Sequence, residues 1–254
     1  LTGGKLNTKE SDLPFTTREL LRLYKQDEFI PYIVFGGLGY GKSSYAIQCL
    51  ALAYGEDGEP DWKAVRKRII FTPEEFLDAI TKYSSKKDRD IALIWDDAGV
   101  WFYSLDYYTP LVKAVTKYLS VARTDLASII FTSPNPRLMA KGGRTMPNTR
   151  LARIVKYSTE EYIDKDGKTK FYRYRKAVVY QSWESPDGKR SGVKTIYNDN
   201  FNATLPEEVY NWYKPIRDKY ASIVKRMITD EIEKKKYQAK LSKKIGKDEK
   251  ENAG

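Results

Sequence analysis

Residues Gly36-Gly37-Leu38-Gly39-Tyr40-Gly41-Lys42-Ser43 match the pattern G-x-x-x-x-G-K-S/T in full. This run constrains the fold more than any other, because a glycine-rich turn of this kind works only between a strand and a helix. Both neighbours are present. The apolar run Ile30 to Phe35 reads as a buried strand entering the turn, and Ser44 to Ala53 as a helix leaving it. Backbone N–H groups in such a turn wrap an anion, and the helix N-terminus adds positive potential. The pattern therefore predicts a phosphate site built from Gly36, Gly37, Leu38, Gly39, Tyr40, Gly41, Lys42, Ser43 and Ser44. In it Lys42 reaches the β- and γ-phosphates and the Ser43 hydroxyl ligates Mg²⁺, so ATP and Mg²⁺ are the expected ligands.

Composition narrows the chemistry further. With 254 residues the chain is long enough for one large α/β domain and an appendage. Its net charge of +11 suggests a polyanionic partner, DNA above all, although a lysine-rich surface on a heat-adapted protein would give the same balance. There is no histidine and a single cysteine, Cys49. Disulfides, His/Cys metal sites, Ser-His-Asp catalysis and histidine general bases are thereby excluded. No apolar run approaches the ~18 residues of a membrane span and no signal-peptide pattern opens the chain, so a soluble, cytoplasmic protein is expected.

Organisation along the chain reads as a mobile tail over 1–12, a nucleotide-binding core over 13–150, a β-hairpin addition over 151–204, a helical region over 205–240 and a disordered basic tail over 241–254. Thr16-Thr17-Arg18-Glu19 predicts a capping box for a first helix, and Thr72-Pro73-Glu74-Glu75 predicts a second one. Short strands are expected at Arg68 to Phe71, Ile91 to Trp95 and Ser128 to Phe131, with a long helix from Tyr107 to Arg123. Alternating strands and helices imply a mainly parallel, RecA-like sheet covered by helices on both faces. Asp-Gly turns after Arg150 then predict antiparallel hairpins. A last helical region opens at Leu205-Pro206 and resumes at Pro215.

A phosphate loop needs a second element to hold Mg²⁺ and aim water. Ala92-Leu93-Ile94-Trp95-Asp96-Asp97 has that form, an apolar strand ending in two carboxylates. Asp96 is assigned to the Mg²⁺ shell and Asp97 to polarising the attacking water, where a Glu is the usual residue. Thr132 and Ser133, ending the next strand, are candidates to sense the γ-phosphate, with Asn135 a third. Arg123, Arg137, Arg144, Arg150 and Arg153 are candidates for an arginine finger offered to a neighbouring copy, which would imply a homo-oligomer. The aromatic run Trp101 to Tyr108 suits either packing or base stacking, and Lys168 to Lys176, which interleaves Lys and Arg with Phe171, Tyr172 and Tyr174, suits nucleic-acid contact.

Together, Gly36 to Ser43, Ile91 to Asp97 and Ser128 to Ser133 resemble the P-loop ATPases with an additional strand, in the AAA+/RecA-like assemblage. The passage Tyr118 to Arg123 and on to Phe131-Thr132-Ser133-Pro134 is similar to the FtsK/HerA and Zot-like group. The whole chain looks most similar to small ATPases of archaeal viruses and plasmids, including the fuselloviral DnaA-like proteins. The resemblance implies ATP hydrolysis coupled to DNA replication or packaging. A nucleotide-dependent switch or assembly scaffold with poor turnover is the alternative, because Asp97 is one methylene shorter than Glu.

Overall fold

The computed structural model describes residues 10–251 apart from 87–88, 165, 186, 188 and 190. Most of the tail expected over 1–12 lies outside the described residues. In chain order the elements are α1 (Phe15–Lys25), β1 (Tyr32–Phe35), α2 (Lys42–Tyr54), α3 (Trp62–Arg66), β2 (Ile69–Ile70), α4 (Pro73–Lys86), β3 (Asp90–Trp95), α5 (Pro110–Leu119), β4 (Leu126–Ser133), α6 (Lys141–Arg144), β5 (Arg150–Ile163), β6 (Thr169–Glu184), β7 (Ser191–Asn202) and α7 (Glu207–Glu251), with short 3-10 turns between. The strands form one seven-stranded sheet in the order β2-β3-β4-β1-β5-β6-β7. The pairs from β2 through β5 are parallel, and those from β5 through β7 are antiparallel.

The central strands are buried and mostly apolar because helices cover both faces. On one face Phe76 of α4 and Val112, Val115 and Leu119 of α5 pack against Leu93, Trp95, Ile129 and Phe131. Phe76 stacks on Trp95 at 4.9 Å between ring centres, and Trp95 meets Phe131 at 6.1 Å. On the other, α1 and α2 lie against β1, β3 and β4. The hairpin region is not a separate layer. Its first strand, β5, pairs in parallel with β1, Tyr32 opposite Arg150 and Phe35 opposite Arg153, and then runs on past the end of β1.

The expected box at Thr72 forms: Glu75 N donates to Thr72 Oγ1 at 3.3 Å, and the Glu75 carboxylate accepts from the N–H groups of Phe71 and Thr72. The one expected at Thr16 does not. There the N–H groups of Phe15 and Thr16 donate to the Asp199 carboxylate of β7, at 2.7 and 3.0 Å, and Glu19 turns instead to Arg150. A carboxylate from a distant strand has displaced the local cap, because it meets at once two helix N–H groups that have no partner within the helix. The long helix expected from Tyr107 is shorter, starting at Pro110 behind a Thr109 cap. The C-terminal unit, Glu207–Gly254 by its contacts, is a single helix that runs through Pro215 and is helical to Glu251. The stretch expected to be disordered from 241 is rich in Lys and Glu, both good helix formers.

Candidate functional site

The loop between β1 and α2 is shaped by glycines where no other residue fits. Gly36 has φ +147°, and a Cβ there would sit 2.7 Å from the Ile154 carbonyl oxygen on β5. Gly41 caps α2 in the left-handed region, φ +94°, with Ala203 2.5 Å from where its Cβ would be. Tyr40 N–H donates to Gly37 O at 3.2 Å and Tyr45 N–H to Gly41 O at 2.9 Å, so the turn closes and passes straight into the helix. Lys42, 7% exposed, folds back over the loop and donates from Nζ to the carbonyls of Gly36 and Gly37, each at 3.2 Å.

Topology brings the second element to the same place. Strand β4 lies between β1 and β3, with Val34 opposite Thr132 and Trp95 opposite Phe131. The C-terminal ends of three adjacent strands therefore present Ser43, Thr132 and Asp96 side by side. Ser43 Oγ donates to Asp96 Oδ1 at 2.7 Å, and Thr132 Oγ1 donates to the same oxygen at 2.6 Å. Asp96 is buried, 1% exposed. Thr132, whose proton is committed to Asp96, accepts the N–H of Asp97 at 2.9 Å. Asp97 is half-buried and sits in the left-handed region with φ +49°, which turns the chain sharply after β3. Oxygen donors converging beside a lysine on a glycine-rich turn are the donor set that suits a hard cation and a phosphate together.

The other candidates are distributed differently. Ser133 Oγ donates to Asn135 O at 3.0 Å, and Asn135 Oδ1 accepts from Arg137 N–H at 2.9 Å, so both shape the turn after β4. Arg150 is not available to a neighbour: it is buried and bonded to Glu19, Nε to Oε1 at 3.0 Å. Arg123 pairs with Asp27 at 3.1 Å on the surface, while Arg137 and Arg153 are exposed. The aromatic run divides, with Phe102 in the core against Phe131 and Tyr107 and Tyr108 exposed. Sequence reasoning missed two residues beside the loop, Lys156 and Arg175. The signal was strand parity: Arg175 shares its face with Ala177 and Val179 and so points inward, away from Tyr172 and Tyr174.

A strand, glycine loop and helix, with a further strand between the loop strand and the carboxylate strand, define a P-loop nucleoside-triphosphatase fold. No protein-family model matches the chain. It is similar to uncharacterized protein B-251 of Sulfolobus spindle-shape virus 1, 29% identical over 144 residues, covering 53% of this chain and 57% of that protein. It is also similar to uncharacterized protein ORF286 of Acidianus two-tailed virus, 29% identical over 140 residues, covering 54% and 46%. The chain thus spans about half the length of these curated relatives. Among solved structures it is similar to the N-terminal domain of zonular occludens toxin from Neisseria meningitidis, with TM-score 0.38, 15% identity, and coverage of 72% of this chain and 98% of that one. A KaiC-like protein from Pyrococcus horikoshii gives TM-score 0.37 and 13% identity, covering 67% and 90%.

Proposed function

We propose that this chain is a Mg²⁺-dependent ATPase that self-associates and acts on DNA in the replication or packaging of a virus or plasmid. The observation that carries the reading is the meeting of Ser43 Oγ and Thr132 Oγ1 on one oxygen of Asp96, beside Lys42 on the loop. This suits Mg²⁺ bound through Ser43, Asp96 and the nucleotide's own oxygens, the way Mg²⁺ is usually held. In this reading Lys42 exchanges the Gly36 and Gly37 carbonyls for phosphate oxygens, Asp97 orients water, and Thr132 holds Asp96 and the Asp97 turn in register. Bound Mg²⁺ would supply charge stabilisation at the phosphates.

Contact with DNA is supported by charge and by rings. A cavity of ≈ 550 Å³ is lined by Lys113, Lys117, Lys141 and Arg144 together with Thr116 and Tyr107, and the Arg144 Nε is buried without a hydrogen-bond partner. On the hairpin Tyr162 stacks on Tyr172 at 4.2 Å, and Tyr172 lies 6.2 Å from Tyr174, a surface on which bases can stack. No helix among the described residues is long and apolar enough to cross a membrane. The viral relatives support the setting, the cytoplasm of a host cell.

Phosphate release by the full chain tests the reading. Turnover is expected to require Mg²⁺, to rise with DNA, and to fall at least about 100-fold in Lys42→Ala, the scale of losing one electrostatic contact to the transition state. Turnover that survives Lys42→Ala sinks it. A second reading, a switch that binds ATP and hydrolyses it poorly, is favoured by the Asp97 turn, whose short carboxylate sits on a backbone pinned to Thr132. Single-turnover measurement separates the two, since the switch retains ATP unhydrolysed with or without DNA.

A further inference from the structure

Arg175 lies on β6 facing inward and is 5% exposed. Taking a guanidinium out of water is unfavourable unless an anion meets it. None does. Nη1 donates to the carbonyls of Ser158 and Tyr174 at 2.9 and 2.7 Å, Nε has no partner, and no carboxylate pairs with the group among the described residues. Burial and the like charge of Arg173 both work against its charged form and lower its pKa, but a guanidinium stays protonated. The chain holds a buried positive charge for which it supplies no counter-charge.

Its location identifies what would supply one. Gly36, the first loop residue, packs so close to β5 that a Cβ would meet the Ile154 carbonyl, and Ile154 is opposite Ala177 in the β5–β6 ladder. Two residues further along, just before the ladder bulges, Lys156 is opposite Arg175. Lys156 Nζ stands 4.8 Å from the ring centre of Tyr40, and the same Tyr40 is near enough to Arg175 to act on its charge. Across the next ladder Arg175 is opposite Phe201, whose ring lies 3.6 Å from where a Cβ on Gly41 would be. Both ends of the loop and its central tyrosine therefore border the strand segment that carries Arg175 and Lys156.

We infer that Arg175, seconded by Lys156, binds the terminal phosphate of a nucleoside triphosphate held in this chain's own loop. The inference rests on the nucleotide-site reading above and adds a residue to it. The planar fork of a guanidinium matches phosphate oxygens, and the bound anion neutralises the charge that the fold leaves uncompensated. Because β5 and β6 run past the end of β1, the hairpin reaches the site from within the same chain, and no neighbouring copy is needed for this contact.

Calorimetric titration of the full chain with Mg·ATP and Mg·ADP, paired with thermal unfolding, tests it. In Arg175→Met the ATP affinity is expected to fall about 10- to 100-fold, as for a lost charge-assisted contact, and the ADP affinity to change less than about threefold. The nucleotide-free protein should unfold at the same temperature or higher, since an uncompensated charge has been replaced by an apolar chain. Lys156→Ala, at an exposed position, should cost ATP about 2- to 5-fold. An unchanged ATP/ADP ratio in Arg175→Met, or a nucleotide-free midpoint that drops as far as in Arg150→Met, overturns the assignment. Should Arg175→Met not fold, Arg175→Lys serves: loss of ATP preference supports the contact and an unchanged ratio overturns it. Wild-type protein that binds neither nucleotide overturns the loop reading itself. Binding lost in Lys42→Ala but intact in Arg175→Met overturns only the role of Arg175.

Discussion

Arg150 and Arg175 sit on neighbouring strands and are almost equally hidden, at 7% and 5% exposure, yet one is answered by the fold and the other is not. Arg150 bonds Glu19 through Nε at 3.0 Å and the Asn148 carbonyl through Nη1 at 3.0 Å. Glu19 in turn accepts the hydroxyls of Tyr32 and Tyr197, the latter at 2.8 Å, so α1, β1, β5 and β7 are tied at one point. Arg175 has two carbonyls and an orphaned Nε. The two arginines also lie towards opposite ends of β1. The closed cluster lies where β1 begins, Tyr32 opposite Arg150, and the open charge lies past its end, where the glycine-rich loop starts. Charge that the chain neutralises itself serves stability; charge left open beside the loop is what the proposed phosphate contact would answer.

The largest effect that sharpens this contrast belongs to the closed cluster. Arg150→Met leaves the Glu19 carboxylate buried without its cation and is expected to cost about 3–5 kcal/mol in urea unfolding. The double variant Glu19→Gln/Arg150→Met should cost less than the sum of the singles, and strict additivity would dissolve the pair. Next comes Thr132→Val, which removes one donor from buried Asp96 and the acceptor of the Asp97 N–H, for a loss of about 1–3 kcal/mol by the same measurement.

A smaller effect is set by pH. Burial pushes the Glu19 carboxyl up, but the hydrogen bonds from Arg150 and Tyr32 and the Arg150 charge outweigh it, and its pKa falls below the usual carboxylate range. The folded value is thus below the unfolded one. Its contribution is fully present above about pH 4.3 and is lost as the pH falls through the folded value. Acid unfolding of Glu19→Gln should lack this component, and a profile identical to wild type would break the argument. The smallest expected change is the stability of nucleotide-free Arg175→Met, within about 0.5 kcal/mol of wild type or above it. A loss comparable to that of Arg150→Met would erase the contrast.

What the sequence determined alone is local. The run Gly36 to Ser43 needs a strand before it and a helix after it, and Ile91 to Asp97 needs a covered strand ending in carboxylates; both were legible because neighbouring residues carry the whole pattern. The hydroxyl-ended strand at Thr132 was legible for the same reason, as was the capping box at Thr72. The tertiary structure decided which distant groups meet. Asp199 caps α1 from 184 residues away, Glu19 finds Arg150 across 131, and both displaced the local cap read at Thr16. Arg175 was legible as a residue in a basic, aromatic hairpin, but its inward face follows from register with β5 and β7, strands that a bulge shifts on each side. Side-chain partners across a sheet depend on register, and register is fixed by the packing of the whole sheet rather than by any window of residues.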